Sequence, residues 1–177
     1  MKRLAKLTII AALALHLDQS VATEFEKQAV ALGRALGATK GIKKKSVSLS
    51  GAGLDRSVAS TDSADVYAVK EGSTVTKIAV VQKRTYEPNC SHTWVIAINP
   101  KKLKVEQVRV VEMSCPHAFP CKEASYLDQY KGTGPADLKK LKGKVDTIAK
   151  ATGTSNLTTD AVITAVSAAK LYMSEEG

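Results

Sequence analysis

Residues able to do chemistry gather in two places along this 177-residue chain. The first is Val145-Asp146-Thr147-Ile148-Ala149-Lys150-Ala151-Thr152-Gly153-Thr154-Ser155, which runs into an Ala/Val-rich segment from Leu157 to Met173. Small hydroxylated residues ahead of a helical pattern make a phosphate seat, because the first helical N–H groups lack an intrahelical partner and the dipole favours an anion. Thr152, Thr154 and Ser155 can offer hydroxyls and backbone N–H groups there, or can serve only as helix caps. The second place is Cys90-Ser91-His92 with Cys115-Pro116-His117 and Cys121, three thiols and two imidazoles at both ends of a predicted hairpin. Thiolate and imidazole are the donors zinc prefers, so Cys90, His92, Cys115, His117 and Cys121 make a metal set on paper. No CxxC or HxxxH spacing accompanies them, and in an oxidising compartment a structural or redox disulfide is the better reading. Cys115 and Cys121 are near enough to close a short loop, but which pair bonds does not follow from the sequence.

Other chemistries are poorly served. There is no GxSxG elbow, no Gly-rich loop after a strand and no CxxCH haem run. His16 lies in an apolar leader, which leaves His92 and His117 as the candidate bases, and Glu175-Glu176 reads as a solvated chain end.

The elements that must position these residues follow from periodicity. From Thr23 to Leu36, Phe25, Ala29, Leu32 and Leu36 recur at helical spacing, with Thr23 as a possible N-cap and Gly37 as the stop. Residues 38–63 carry Gly41, Lys43-Lys44-Lys45 and many small polar residues, which suits a linker with at most one short strand. The period then becomes two. Ala64 to Lys70, Val75 to Gln82, Thr93 to Ile98 and Val105 to Met113 read as strands separated by the turn signals Glu71-Gly72-Ser73 and Asn99-Pro100-Lys101. In the last, Val108 and Val110 share a face opposite Arg109, although Val111 and Met113 blur the alternation. Pro120 to Lys131 reads as a helix and Pro135 to Leu141 as another. The closing helix carries Val162, Ala165, Val166, Ala169 and Met173 as a core stripe. The expected fold is α+β, an antiparallel meander packed with helices, with the N-terminus of the last helix at the ligand site.

Lys2, Arg3 and Lys6 precede the apolar run Leu7 to Leu17, and Ser20-Val21-Ala22 offers small residues to a signal peptidase. The expected organisation is therefore a signal peptide over 1–22, an N-terminal helix and linker over 23–63, and a ligand-binding domain over 64–177. The destination is the periplasm or the exterior, with no membrane span after cleavage. The cleaved chain keeps 23 basic and 16 acidic residues, net +7. Its lysines lie in separate clusters and aromatic residues are only 5% of the chain, which argues against nucleic acid and leaves solvated faces or an acidic protein partner.

From about Ala64 to Ala169 the chain resembles the small FMN-binding domain of exported flavoprotein subunits of sodium-pumping NADH:quinone oxidoreductase and related ion-pumping redox complexes. Members carry a helix of the type S-F-L-D-Q-F-K-G, matched by Ser125-Tyr126-Leu127-Asp128-Gln129-Tyr130-Lys131-Gly132, and a motif D-[AG]-I-S-G-A-T-x-T-S before the last helix. The latter is matched at Asp146, Ala151, Thr152, Thr154 and Ser155, with Ala149 and Lys150 in place of the family's serine and glycine. The resemblance implies FMN, covalent or not, with Thr152 as the residue a flavin transferase esterifies to the phosphate and Lys150 as an added cation beside it. The family's glycine there implies a backbone conformation that lysine tolerates poorly. The family's E-T-P-G-L-G covering loop is replaced by Met113-Ser114-Cys115-Pro116-His117-Ala118-Phe119-Pro120-Cys121, which puts His117 at the pocket rim. The implied role is that of an electron carrier rather than a stand-alone enzyme, with a redox protein such as a cytochrome, or a membrane redox complex, as partner. The rival is a flavin-free secreted binding module whose pocket has been refitted by a disulfide or a metal, and a weaker third reading makes Cys115 and Cys121 a redox-active pair.

Overall fold

The structure, a computed structural model, describes residues 27–86 and 88–176. The expected signal peptide, Thr23 and Phe25 lie outside the described residues. Alternating apolar residues form β2 (Ser63–Glu71), β3 (Thr74–Tyr86), β4 (Cys90–Asn99) and β5 (Lys104–Met113), and the segment expected to hold at most one short strand supplies β1 (Lys43–Ser48). The five strands make one antiparallel sheet in chain order, so the fold is an α+β meander. The β3–β4 hairpin is longer than its apolar runs. Arg84 and His92 pair across it, and their polarity hid those ends of the strands.

The blurred alternation in β5 has a physical cause. Thr93 pairs with Glu112 but Trp94 pairs with Val110, so Val111 is an extra residue in a bulge. Val110 then packs with the inner core and Val111 with the outer one.

The sheet has two unequal faces. On the outer face lies α1 (Gln28–Leu36), whose Ala31, Leu32 and Leu36 bury against Ala79, Val81 and Val95. Ala29, expected on the apolar face, is exposed. Gly37 ends the helix at φ 62°, donating its N–H to the Gly33 carbonyl, as a left-handed cap requires. The inner face packs on α3 (Thr152–Glu176), and these elements with their connections form the main core. The expected single stripe on α3 is a full jacket: residues 158–169 are all buried. Leu54, Val58, Ala59 and Leu138, all from connections between strands and helices, pack against the same core, which a periodicity argument cannot foresee. At its C-terminal end, Lys45 on β1 pairs with Glu175 at 2.8 Å, and Lys70 on β2 pairs with Glu176. No helix among the described residues is long and apolar enough to cross a membrane.

The helix expected over Pro120 to Lys131 is broken. Pro116–Lys122 winds as a 3-10 helix, α2 covers only Ala124–Leu127, and Asp128–Tyr130 returns to 3-10. Pro120 lacks the N–H that an α-helix would need at that point. Pro135–Gly143 is likewise 3-10, with the Gly134 N–H donating to Asp137 at 3.0 Å.

Candidate functional site

Helix α3 starts at Thr152, earlier than its apolar pattern, and its hydroxylated residues bond back to their own turns. Thr158 donates to the Thr154 carbonyl at 2.9 Å and Thr159 to the Ser155 carbonyl at 3.0 Å. Side chains from the tyrosine motif fix this end. Tyr126 donates to the Ser155 carbonyl at 3.2 Å, the Tyr126 and Tyr130 hydroxyls are 2.7 Å apart, and Tyr130 is 2.9 Å from the Thr159 hydroxyl. Burial pushes both phenols up, so they stay neutral hydrogen-bonding groups. Gln129 accepts from the Asp146 N–H at 2.8 Å, tying the same motif to the loop that enters α3.

The residues of the loop divide into two sets. Ala151 and Ser155 face inward: the Ser155 N–H donates to the Ala151 carbonyl at 2.9 Å, and the fully buried Ser155 hydroxyl accepts from Ile148 N–H at 3.1 Å. Ser155 is thus engaged as a brace of the loop. Thr154 is also buried. Thr152, Lys150 and Asp146 are exposed, and the Asp146 carboxylate makes no ion pair with a described residue. Thr152 is therefore an exposed residue at the start of a 25-residue helix, beside N–H groups that have no intrahelical acceptor.

Lys150 has φ 66°, the left-handed conformation that a glycine would adopt without strain. Lys150→Gly is expected to raise stability by about 1 kcal/mol, read as an increase in urea midpoint at unchanged slope. An unchanged or lowered midpoint would show that the lysine side chain outweighs the backbone strain.

The cysteines do not assemble a metal site. Cys90 bonds to Cys115, with Cα atoms 5.4 Å apart, while Cys121 remains a free, buried thiol. Thus the Cys115–Cys121 loop, and the redox pair built on it, give way to a bridge between the start of β4 and the segment following β5. The Cys121 sulfur lies 3.6 Å from the Ser155 hydroxyl, and burial raises its pKa. His117 is exposed on the 3-10 helix that carries Cys121, whereas His92 is buried in the sheet. Among the described residues no three His, Cys, Asp or Glu side chains group to hold a metal.

Sequence reasoning missed two features. Tyr86, 52% exposed at the end of β3, lays its ring against Gly153. A Cβ at 153 would fall 2.5 Å from its Cε2, so glycine is what permits the contact. Deeper in, Gln82 and Arg84 continue the inward face of β3 beyond Ile78 and Val80, and His92 and Trp94 continue that of β4. The polar pair on an apolar-face alternation was the available signal. Arg84 donates from Nη2 to the Thr164 hydroxyl at 3.0 Å and to the Val58 carbonyl at 3.2 Å. Asp160 on α3 offsets part of the burial that lowers the guanidinium pKa, and its carboxylate pairs with Lys142 at 2.8 Å. Gln82 Oε1, Arg84 Nε, both ring nitrogens of His92 and Trp94 Nε1 find no hydrogen-bond partner among the described residues. Each such buried group costs about 1–3 kcal/mol if left unmet.

Burial lowers the His92 pKa from its ordinary 6.5, with Glu112 opposing weakly. The unfolded chain then binds more protons than the folded one in the window below about pH 6.5, so stability is lost as pH falls through it. Urea midpoints for His92→Gln should depend less on pH between 7.5 and 5 than those of the parent; parallel pH dependence would remove His92 as the cause.

No family model and no curated protein matches the chain. Among solved structures, Shewanella oneidensis NqrC is similar in fold, with a TM-score of 0.53 and 15% identity over 77% of this chain and 84% of that one.

Proposed function

We propose that this protein is an exported electron-transfer flavoprotein that holds FMN at the N-terminus of α3, with the phosphate esterified to Thr152. The observation that carries the reading is the exposed Thr152 at the start of a helix whose first turns are braced by Ser155, Tyr126, Tyr130 and Gln129. The motif resemblance and the likeness of fold to NqrC support it. The residues present fit the group. The first N–H groups of α3 and the exposed Lys150 suit a phosphate, and the unmet polar atoms beneath α3 suit a polar ring system. Bound flavin would supply the redox chemistry. This chain would anchor the phosphate, keep the entering loop fixed through Ser155, and present lysines toward an acidic partner, a cytochrome or a membrane redox complex.

The test is colour. Protein made alongside a flavin transferase should be yellow after acid denaturation, and Thr152→Val should lose all of that retained colour. Retention in Thr152→Val would move the linkage elsewhere, with Thr154 next. A colourless protein that also fails to take up added FMN would overturn the reading in favour of a flavin-free module, in which the Cys90–Cys115 bridge has replaced the covering loop.

A further inference from the structure

The unmet polar atoms of β3 and β4 form a pattern. Gln82 stands directly across from Trp94, and Arg84 directly across from His92. All four side chains are 7% exposed or less, and the His92 and Trp94 rings are 5.6 Å apart. Their open valences comprise N–H donors from Arg84 Nε and Trp94 Nε1, an acceptor from Gln82 Oε1, and one of each from a neutral His92. On α3 the Thr164 hydroxyl meets only Arg84 Nη2, at 3.0 Å, while donating to the Asp160 carbonyl at 2.8 Å. Two N–H donors and one acceptor are the groups that a planar edge with two carbonyls and one N–H would satisfy.

We infer that Gln82, Arg84, Trp94 and His92 are the recognition floor for a cyclic imide edge, the C2=O, N3–H, C4=O side of a flavin or a related pyrimidinedione. The inference rests on the FMN reading and adds to it the residues that select the ring. Reach is consistent. Tyr86 touches Gly153 next to Thr152, and Arg84 and Gln82 follow two and four residues back along β3, about 7 and 13 Å. Arg84 Nη2 meets Thr164, which lies about 18 Å along α3 from Thr152, so a phosphate at Thr152 and a ring edge at the cluster are bridged only by a fully extended linker. Entry requires the segment around Val58 to lift, since its carbonyl covers Arg84 and Thr164, both at 3.2 Å.

Trp94 is the single tryptophan of the chain, so its fluorescence reports on this floor without labelling. Full-length protein would be titrated with FMN, riboflavin and N3-methylriboflavin. Riboflavin, which lacks the phosphate, should quench Trp94 saturably, and methylation at N3 should weaken binding at least tenfold by removing the hydrogen that Gln82 accepts. In Gln82→Leu, with circular dichroism as the folding control, that discrimination should vanish. Equal binding of the two analogues by the parent protein overturns the inference while leaving FMN binding intact, as does FMN binding without Trp94 quenching. Failure of both FMN and riboflavin to bind overturns this inference and the FMN reading together.

Discussion

Asp160→Asn is expected to destabilise the protein by about 3 kcal/mol, the larger part of a small domain's margin. Asp160 is nearly buried on α3 and is the charge that offsets desolvation of the Arg84 guanidinium. Breaking a buried ion pair in direct contact costs about 3–5 kcal/mol, which bounds the effect here, because Asp160 acts on Arg84 through its field and makes its own contact with Lys142. The lower end applies, since Arg84 still donates to Thr164 and Val58. Lys142, half-exposed, returns to water at little cost. Urea denaturation of the variant measures the effect. A loss below about 1 kcal/mol would mean that those neutral acceptors suffice for Arg84.

Removal of the Cys90–Cys115 bridge by Cys90→Ser with Cys115→Ser should cost about 3 kcal/mol. The bonded residues are 25 apart, and closing a loop of that length restricts the unfolded chain by an amount of that order. The local consequence is the sharper one. The bridge ties β4 to the 3-10 helix whose Cys121 lies on Ser155, the residue that braces the loop entering α3. Thermal unfolding with and without reductant should reproduce the loss in the parent protein. An unchanged midpoint in the double variant would show that the hairpin pairing alone holds this rim.

Much of the scaffold was legible because it rests on local periodicity. The strands around Val66, Val80, Ile96 and Val108 alternate as half-buried strands must, and Gly37 ends α1 as a left-handed cap. The start of α3 was legible as a seat for an anion, and the tyrosine motif as an element, but their connection was not. That Tyr130 would reach Thr159, and Gln129 the Asp146 N–H, is decided by packing between segments. The disulfide partner of Cys115 depends on the hairpin register that brings residue 90 beside it. Lys150 illustrates a different limit. The sequence identifies a position where glycine is expected, and only the backbone shows that lysine accepts the same left-handed conformation. The predicted strand ended at Gln82 because polar residues mark turns in most contexts, whereas here Arg84 carries it on into the core.

The clamp between the end of α3 and the first two strands bears on the order of assembly. Lys45 and Glu176 are 131 residues apart, so α3 can join the sheet only after β1 and β2 have been made. Until α3 has been made and has docked, the inner face of the sheet has no cover and the anion seat does not exist. A prosthetic group held by the folded seat at Thr152 therefore requires α3 docked on the sheet, and Val66, Val80, Trp94 and Ile96 are without their cover until then.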